Sequence, residues 1–333
     1  MTNTDSGRTA MGQAYVIEIA ETGGVDVLRR KARDPRPPGP GEALVRQTAI
    51  GLNFIDTYHR TGLYPVKMPF VPGSEGAGIV DAIGEGVTGL RPGDRVAYLG
   101  AGTYATHYTG AAASMVRLPD GISEATAAAT LLKGLTAWML LFEVRRILPG
   151  DTALVWAPVG GVGSLLVPWA ASMGARVIAV TSTPEKAEEA RALGASETLL
   201  SGTDVAAGVR ELTGGVGVDV SYDSVGRASA QASLDSLRSR GWWVSYGNAS
   251  GAVEPIAPGL LAAKGSLVLT RPTLFSFLGE DGGMARGTAA LFGALRTGAI
   301  EARIGQRFGL DDVAAAHTAI ESGTTRGATL ILP

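Results

Sequence analysis

Residues 156–163, with the sequence WAPVGGVG, constrain this chain more than any other segment. They follow an apolar run at 152–155 and precede a second one at 164–173, so the pattern predicts a strand, a glycine turn and a helix. Glycines let the backbone approach a bound group closely, and the start of a helix directs free N–H groups at an anion. This geometry is typical of a turn that holds a dinucleotide pyrophosphate. A tight turn without a ligand is the alternative, since glycine patterns alone are weakly specific.

The end of the next predicted strand bears on which dinucleotide is bound. Residues 175–180 form an apolar run, and residues 181–186, TSTPEK, follow it. An NAD site places an acidic residue about 20 positions after the glycine turn, where it binds the ribose hydroxyls. Here hydroxyls and Lys186 stand at the strand end instead, and they favour the additional 2′-phosphate of NADPH. The alternative is that Lys186 is an ordinary solvated helix residue beside neighbouring glutamates.

Composition limits the partners of the chain. Its 333 residues, 45% of them hydrophobic, are enough for two packed lobes. A formal net charge of −2 and a charged fraction of 18% provide no basic field, so neither a nucleic acid nor an anionic membrane is expected as a partner. Small molecules are the expected partners. Cysteine is absent, which removes disulfides, thiolate nucleophiles and sulfur ligands for zinc.

Two segments bear on cellular location. Residues 1–10 are polar and lack the apolar core of a secretory signal, so we expect a cytoplasmic protein. Residues 152–175 are uncharged over a length that spans a bilayer, but their glycines and prolines suit a turn far better than a membrane helix. Pro168 lies inside the predicted helix and has no amide to donate back to Ser164, so that helix should bend or start late.

The order of patterns predicts an α/β protein with a discontinuous β lobe. Short β-rich runs broken by turn residues occupy 14–19, 42–50, 76–83, 95–99 and 115–118. Strands that alternate with helices follow at 153–156, 176–180, 197–200, 218–222, 242–246 and 266–270. This alternation predicts a doubly wound parallel sheet. The tail from 287 predicts two helices and a final strand at 328–332 that returns to the first lobe.

Several ordered motifs resemble those of one enzyme family. They are 49–58 (AIGLNFIDTY), 61–65 (TGLYP), 72–78 (PGSEGAG), 132–137 (LKGLTA), 222–226 (YDSVG), 245–248 (SYGN) and 265–272 (GSLVLTRP). From residue 15 onward the chain resembles the NADPH:quinone oxidoreductases, the zeta-crystallin-like, zinc-free branch of the medium-chain dehydrogenase/reductase superfamily. The resemblance implies a Rossmann NADP-binding domain at 134–271. It also implies a mostly β, GroES-like catalytic domain made of 1–133 and 272–333.

The resemblance also implies roles for particular residues. It assigns cofactor contacts to Asn53, Thr136, Gly160, Gly161, Val162, Ser182, Lys186, Val225, Tyr246, Gly247, Asn248 and Arg271. It assigns the substrate cleft to Asn53, Tyr58 and Tyr64. Our hypothesis is that NADPH donates hydride, that the two tyrosines donate hydrogen bonds or form aromatic walls, and that Asn53 orients the substrate. Lys133 is expected to fix the nicotinamide side or the floor of the cleft.

The chain departs from its relatives at the phosphate end of the cofactor site. Ser201 stands where close relatives carry a tyrosine, and Gly323 stands where they often carry an arginine. Arg326 lies three residues further along and is a possible substitute. Discrimination between NADPH and NADH is therefore expected to be weaker than the family norm if Arg326 does not take that place.

The resemblance implies chemistry without a metal. Asn53 and Ser74 stand where zinc-containing relatives have a cysteine and a histidine, and an amide and a hydroxyl replace neither ligand. His59, His107 and His317 are too scattered in the sequence to suggest another metal site. Without a Lewis acid the substrate itself must accommodate the incoming negative charge by conjugation, as a quinone or an enone does.

Three functions stay open at this point. The first is NADPH-dependent quinone reduction, and the second is reduction of the carbon–carbon double bond of an enone or alkenal by the same cofactor. The third is a non-catalytic NADPH-binding protein of the crystallin-like kind. The resemblance further implies a homodimer, in which the strand at 265–270 pairs with its copy across a two-fold axis.

Overall fold

The computed structural model describes residues 13–333, which form a six-stranded and a seven-stranded β-sheet joined by a central helix, together with a separate two-stranded sheet. The strands, in chain order, are β1 (Tyr15–Glu18), β2 (Arg29–Ala32), β3 (Glu42–Leu52), β4 (Glu75–Ile83), β5 (Arg95–Leu99), β6 (His107–Ala111), β7 (Met115–Arg117), β8 (Thr152–Trp156), β9 (Arg176–Thr181), β10 (Glu197–Leu200), β11 (Val218–Asp223), β12 (Leu237–Ser245), β13 (Val268–Thr270), β14 (Ile304–Gly309) and β15 (Ala328–Leu332).

Helices connect and cover these strands. They are α1 (Phe54–Thr61), α2 (Glu124–Trp138), α3 (Gly163–Ser172), α4 (Pro184–Ala192), α5 (Val205–Leu212), α6 (Ala230–Ser236), α7 (Pro258–Ala263), α8 (Leu274–Leu278), α9 (Gly283–Thr297) and α10 (Val313–Glu321). Short 3-10 helices lie at Val25–Val27, Ala112–Ser114 and Leu310–Asp312, and the π-helical turn Met139–Val144 continues α2.

The first sheet is the predicted doubly wound parallel sheet. Its order is β10-β9-β8-β11-β12-β13, and every neighbouring pair is parallel. The chain runs outward from β8 to β10 and then returns to place β11 on the other side of β8. This reversal of direction leaves a crevice at the carboxyl end of β8, where sheets of this kind bind their ligands.

The second sheet is the predicted β lobe. Its order is β14-β15-β3-β4-β5-β7, with β6 also paired to β3, and all its pairs except β14 with β15 are antiparallel. β15 pairs with β3, which confirms that the last strand returns to the first lobe. Strands β2, β6 and β14 were not predicted, because the sequences RRKA, HYTGA and IGQRFG lack an apolar run that would mark a strand.

Two details differ from the expectations. β12 begins at Leu237 rather than at residue 242, and a left-handed backbone at Arg240, with φ of 61°, interrupts its regular extension. Helix α3 begins at Gly163 with Pro168 in its interior, so the proline does not delay its start.

Helix α2 joins the two lobes. It packs on β3, β4 and β5 of the antiparallel sheet and also on α3 of the other lobe. Buried alanines at positions 127–129 and 137 keep its surface narrow, so that both layers approach closely. The stretch Glu124–Val144 is long and apolar enough to cross a membrane, but 78% of its most apolar window is buried inside the fold. The predicted domain boundary at residues 133 and 134 falls inside α2 and stays a prediction.

Candidate active site

A cleft with a cavity of about 470 Å³ lies between the lobes at the carboxyl end of β8. Most of the predicted site residues line it, namely Asn53, Tyr58, Tyr64, Lys133, Thr136, Gly160, Gly161, Val162, Tyr246, Gly247 and Arg271. The other predicted residues, Ser182, Lys186, Val225 and Asn248, are not part of this lining. Ser182 and Lys186 follow β9, and Val225 and Asn248 follow β11 and β12.

The glycine turn has the backbone that a pyrophosphate requires. Ala157 opens it with φ of 52°, and a Cβ on Gly163 would lie 2.2 Å from the Ala157 carbonyl oxygen. The N–H groups of Gly161, Val162 and Gly163 donate to no acceptor within residues 13–333, and they lie at the start of α3. Free amides at a helix start fit the pyrophosphate of NADPH.

The hydroxyl of Tyr246 offers a second fit to a bound ligand. The hydroxyl of Tyr246, which lines the cleft, is buried and has no hydrogen-bond partner in the described part of the chain. Buried hydroxyls are nearly always paired in folded proteins, so this one is a ready contact for a bound ligand. Thr136 also lines the cleft, while its hydroxyl donates to the Leu132 carbonyl of its own helix.

A fully buried carboxylate organises the floor of the cleft. Glu75 Oε1 accepts from Lys133 Nζ at 2.6 Å and from Asn53 Nδ2 at 2.9 Å, and its Oε2 accepts from the Leu132 N–H. We call Glu75, Lys133 and Asn53 the Glu75 cluster. β3 and β4 place Gly51 opposite Glu75, and a Cβ on Gly51 would lie 2.2 Å from Glu75 Oε1. Glycine is therefore required there.

The Glu75 cluster decides which atoms face the cleft. The Asn53 amide nitrogen donates to the Glu75 carboxylate and to the Gly51 carbonyl, at 2.9 and 3.3 Å. Its Oδ1 is left as an acceptor. A Cβ on Gly161 would lie 3.2 Å from Lys133 Cδ, so the lysine stem passes directly beneath the glycine turn.

A second buried carboxylate lies behind the first. Asp56, at the first turn of α1, accepts from the Asn53 N–H at 2.9 Å, the Ser74 hydroxyl at 2.6 Å and the Tyr104 hydroxyl at 3.1 Å. His317 Nε2 lies 2.9 Å from the Tyr104 hydroxyl. We call Asp56, Ser74, Tyr104 and His317 the Asp56 cluster. Burial raises the pKa of Asp56 to about 6, although these donors oppose the shift.

Proton positions in the Asp56 cluster follow from its neighbours. Arg60 Nη1 lies 3.4 Å from His317 Nδ1, and an arginine only donates, so Nδ1 accepts and Nε2 carries the ring proton. His317 then donates to Tyr104, which donates to Asp56. Burial and the nearby Arg60 charge lower the pKa of His317 to about 3, so its ring is neutral at pH 7. Within residues 13–333 no three His, Cys, Asp or Glu residues group to hold a metal ion.

The two tyrosines of the cleft contact the opposite lobe. The hydroxyl of Tyr58 accepts from the Asn248 N–H at 3.0 Å. The hydroxyl of Tyr64 accepts from Asn248 Nδ2 at 3.3 Å and from Arg271 Nη2 at 3.0 Å. Arg271 is itself held by the Ser245 carbonyl at 2.8 Å. The tyrosines therefore bridge the two lobes.

Asp223 anchors the loop that follows β11. Asp223 is fully buried and accepts from the N–H groups of Val225 and Gly226 and from the hydroxyls of Ser229 and Ser233. These bonds fix the loop that carries Val225 beside the cleft. The arrangement fits close approach of a cofactor to Gly226.

Some lining residues escaped the sequence interpretation. Thr273, Leu274 and Phe275 directly follow the motif that ends at Pro272, so extending that motif would have found them. Ile320 and Thr325 line the cleft because α10 and the segment after it fold back against the glycine turn. No local pattern marks residues that arrive in this way.

Comparison with known proteins places the chain. A family model described as a zinc-binding dehydrogenase matches residues 161–281, and one described as an alcohol dehydrogenase GroES-like domain matches 39–120. A quinone oxidoreductase of Pseudomonas aeruginosa is 46% identical over 95% of this chain and 99% of the relative. A 2-haloacrylate reductase of Burkholderia sp is 41% identical over 89% and 92%. The Escherichia coli quinone oxidoreductase complexed with NADPH has a TM-score of 0.94 and 39% identity, over 96% of this chain and all of that one.

The parallel dinucleotide-binding sheet, the GroES-like lobe and the cleft between them define a medium-chain dehydrogenase or reductase. Within that class the chain belongs to the quinone oxidoreductase family. One family model is named for zinc, but the residues here do not fit that ion. The amide hydrogens of Asn53 face Glu75 and Gly51, and the Ser74 hydroxyl donates to Asp56.

Proposed function

We propose that the protein reduces quinones with NADPH and without a metal. The observation that carries the proposal is the cleft itself, which joins a pyrophosphate-type turn to a small set of hydrogen-bonding groups and holds no zinc ligand set. NADPH, when bound, supplies a hydride. The related proteins named quinone oxidoreductases, one of them complexed with NADPH, support this choice. A conjugated acceptor spreads the incoming charge, so a few fixed donors suffice.

Tyr64 is proposed as the hydrogen-bond donor to the substrate oxygen. A phenol has two acceptor sites and one proton, and Asn248 and Arg271 occupy both acceptor sites of Tyr64. The hydroxyl proton of Tyr64 is therefore free to be donated in a hydrogen bond to a substrate. Tyr58 is proposed as the neighbouring wall, because the two rings meet edge to face with centroids 5.2 Å apart. Burial raises the pKa of Tyr58, so it stays protonated at neutral pH.

Asn53 and Lys133 are proposed to orient the reacting groups from below. Asn53 presents an acceptor oxygen, which suits an amide or hydroxyl hydrogen and would repel a carbonyl oxygen. Lys133 gives one N–H to Glu75 and keeps two more for groups bound beside Gly161. Because these donors and this acceptor are at fixed positions, they favour one orientation of a planar substrate.

A second candidate function has a specific observation in its favour. The Burkholderia relative is named a 2-haloacrylate reductase, and its substrate contains a carbon–carbon double bond conjugated to a carboxylate. Reduction of such a bond also produces a delocalised anion. A cleft in which Asn53 and Ser74 do not fit a zinc ion suits both reactions.

We further propose a cytoplasmic homodimer with a cofactor domain at 134–271 and a catalytic domain at 1–133 and 272–333. β13 supports the dimer, because it is the edge strand of the parallel sheet and pairs only with β12 in the described chain. A second copy of β13 would continue the sheet across a two-fold axis. Sedimentation equilibrium tests this, and a monomer at micromolar concentration would contradict it.

A panel of acceptors tests the reaction. NADPH oxidation is followed by loss of absorbance with benzoquinones, polycyclic quinones, enones, 2-haloacrylate and plain aliphatic ketones. The expected order places quinones first and aliphatic ketones at background. Faster turnover of enones or 2-haloacrylate would favour the second candidate. NADPH binding without oxidation by any acceptor would indicate a non-catalytic, crystallin-like protein.

A further inference from the structure

The segment between α10 and β15 places an arginine against the cofactor domain. Arg326 Nε lies 3.2 Å from Glu189 Oε2 on α4, and the next residue, Gly327, donates its N–H to the Val159 carbonyl of the glycine turn at 2.8 Å. The arginine side chain is about half exposed. A residue of the catalytic domain therefore stands at the end of β9, beside Lys186.

Lys186 and Arg326 both lie where α4 contacts residues 323–326. Lys186 Nζ donates to the Gly323 carbonyl at 2.6 Å and lies 3.4 Å from the Ser182 hydroxyl. Burial lowers the pKa of Lys186, and the charge of Arg326 adds to the effect. Both cations contact the junction of α4 with residues 323–326, so an anion bound at that junction would be attracted to both.

The acidic residues of α4 leave the guanidinium fork free. Glu189 contacts Arg326 through Nε, and the terminal nitrogens of Arg326 donate to no acceptor within residues 13–333. The charge of Glu185 is also near, but its carboxylate accepts from Thr183, the residue that caps α4. Glu189 therefore holds the arginine while its fork stays open to a ligand. A planar fork is the geometry that matches phosphate oxygens.

The position in the fold identifies the phosphate. In parallel sheets that bind dinucleotides, the end of the strand after the glycine turn meets the adenosine ribose, where an acid selects the free hydroxyl and an arginine accommodates a 2′-phosphate. That strand here is β9, and Ser182 follows it without an acid. Ser201, which follows β10, donates its N–H to the Thr181 carbonyl at 2.8 Å, so a second small residue lies at the end of β9.

We propose that Arg326 is a specificity-determining residue, which binds the 2′-phosphate of NADPH together with Lys186 and Ser182. This role rests on the proposed function, because it presumes that NADPH occupies the cleft. Arg326 supplies the guanidinium that is lost where Gly323 replaces the arginine of relatives. Discrimination between NADPH and NADH is therefore not expected to be weaker than the family norm. The contact also ties the catalytic domain to the phosphate end of the cofactor.

Calorimetry with two fragments tests the proposal without any turnover. Adenosine 2′,5′-bisphosphate carries the 2′-phosphate and 5′-AMP lacks it, so the ratio of their Kd values measures that phosphate alone. We expect Arg326→Ala to raise the Kd of the bisphosphate about 10- to 100-fold, the range for a hydrogen-bonded charged group. The Kd of 5′-AMP should change less than about twofold. Arg326→Gln, a polar variant of similar length, should behave in the same way.

Arg296, an exposed arginine in the last turn of α9, provides the matched control for loss of one positive charge. Arg296→Ala should leave both Kd values unchanged. Equal weakening by Arg326→Ala and Arg296→Ala, or no weakening by either Arg326 variant, would overturn the role of Arg326. Equal wild-type affinity for the two fragments would overturn it as well. These Kd values do not depend on quinone reduction. Failure of the role of Arg326 can therefore be distinguished from failure of the proposed reaction.

Discussion

The Glu75 cluster and the Asp56 cluster hold two neighbouring buried carboxylates in opposite ways. Glu75 forms an ion pair with Lys133, whose Nζ lies 2.6 Å from the carboxylate. Asp56 instead accepts hydrogen bonds from neutral groups, namely the Asn53 N–H and the hydroxyls of Ser74 and Tyr104. Both side chains are fully buried. The Glu75 cluster borders the cleft, and the Asp56 cluster lies behind it. The contrast teaches that a buried carboxylate can be held by a cation or by neutral hydrogen-bond donors alone.

The largest expected effect comes from a substitution that breaks the Glu75 cluster. Glu75→Gln would leave the Lys133 ammonium buried without a counter-charge, which typically costs about 3 to 5 kcal/mol of unfolding free energy. Urea denaturation measures the loss. The double variant Glu75→Gln with Lys133→Met removes both charges and should recover most of it. A single variant within about 1 kcal/mol of wild type would show that the ion pair is not needed.

The second prediction concerns how the contribution of the Asp56 cluster to stability depends on pH. The pKa of Asp56 is raised from 3.8 to about 6, so the folded protein binds this proton more tightly than the unfolded chain. Its contribution to stability is therefore greatest below about pH 4 and falls as pH rises to about 6. The fall amounts to roughly 3 kcal/mol.

Asp56→Asn isolates this contribution, because it removes the titration and leaves other groups in place. The difference in unfolding free energy between wild type and Asp56→Asn should shift by roughly 3 kcal/mol in favour of the variant between pH 4 and pH 7. Urea denaturation across that range measures it. A difference that does not vary with pH would show that Asp56 titrates normally.

The third prediction sharpens the role of neutral donors. Tyr104→Phe removes the hydroxyl that donates to Asp56 and accepts from His317, and leaves a buried imidazole N–H unpaired. The expected loss is about 2 kcal/mol at neutral pH. The pKa of Asp56 should rise further, so the stability fall described for Asp56 should extend to higher pH. An unchanged pH window would mean that the tyrosine does not stabilise the carboxylate.

The smallest expected effect separates rate from stability. Tyr64→Phe touches neither cluster, so stability should stay within about 0.5 kcal/mol, the usual range for changes outside buried networks. Loss of one donor to a quinone oxygen should lower kcat about tenfold, or about 1.4 kcal/mol, with little change in KM. Steady-state kinetics with one quinone measures both constants. Full turnover by the variant would remove the proposed donor role.

Much of the fold could be predicted from the sequence. The glycine turn, the six alternating strands and the returning last strand carry local patterns, and the structure confirms them. Strand β14 carries none, because its sequence IGQRFG is half polar and its pairing depends on β15. Local signals report how a segment folds, and they do not report which segment lies beside it.

The site divides in the same way. Asn53, Lys133 and the glycines belong to recognisable motifs, and their predicted roles stay predictions. The link between Glu75 and Lys133 spans 58 positions and exists only because α2 packs on β4. Tyr104 and His317 come together over 213 positions. Neither polar network could be read from spacing, although the Glu75 cluster decides which atoms face the cleft.

The central claim is that fixed donors and an internally balanced charge support reduction without a metal. Its most direct test is the rate of NADPH oxidation with a benzoquinone after dialysis against a chelator, with the metal content measured on the same sample. The account predicts an unchanged rate in protein that contains far less than one equivalent of metal. A rate that falls to background and returns when zinc is added would contradict it.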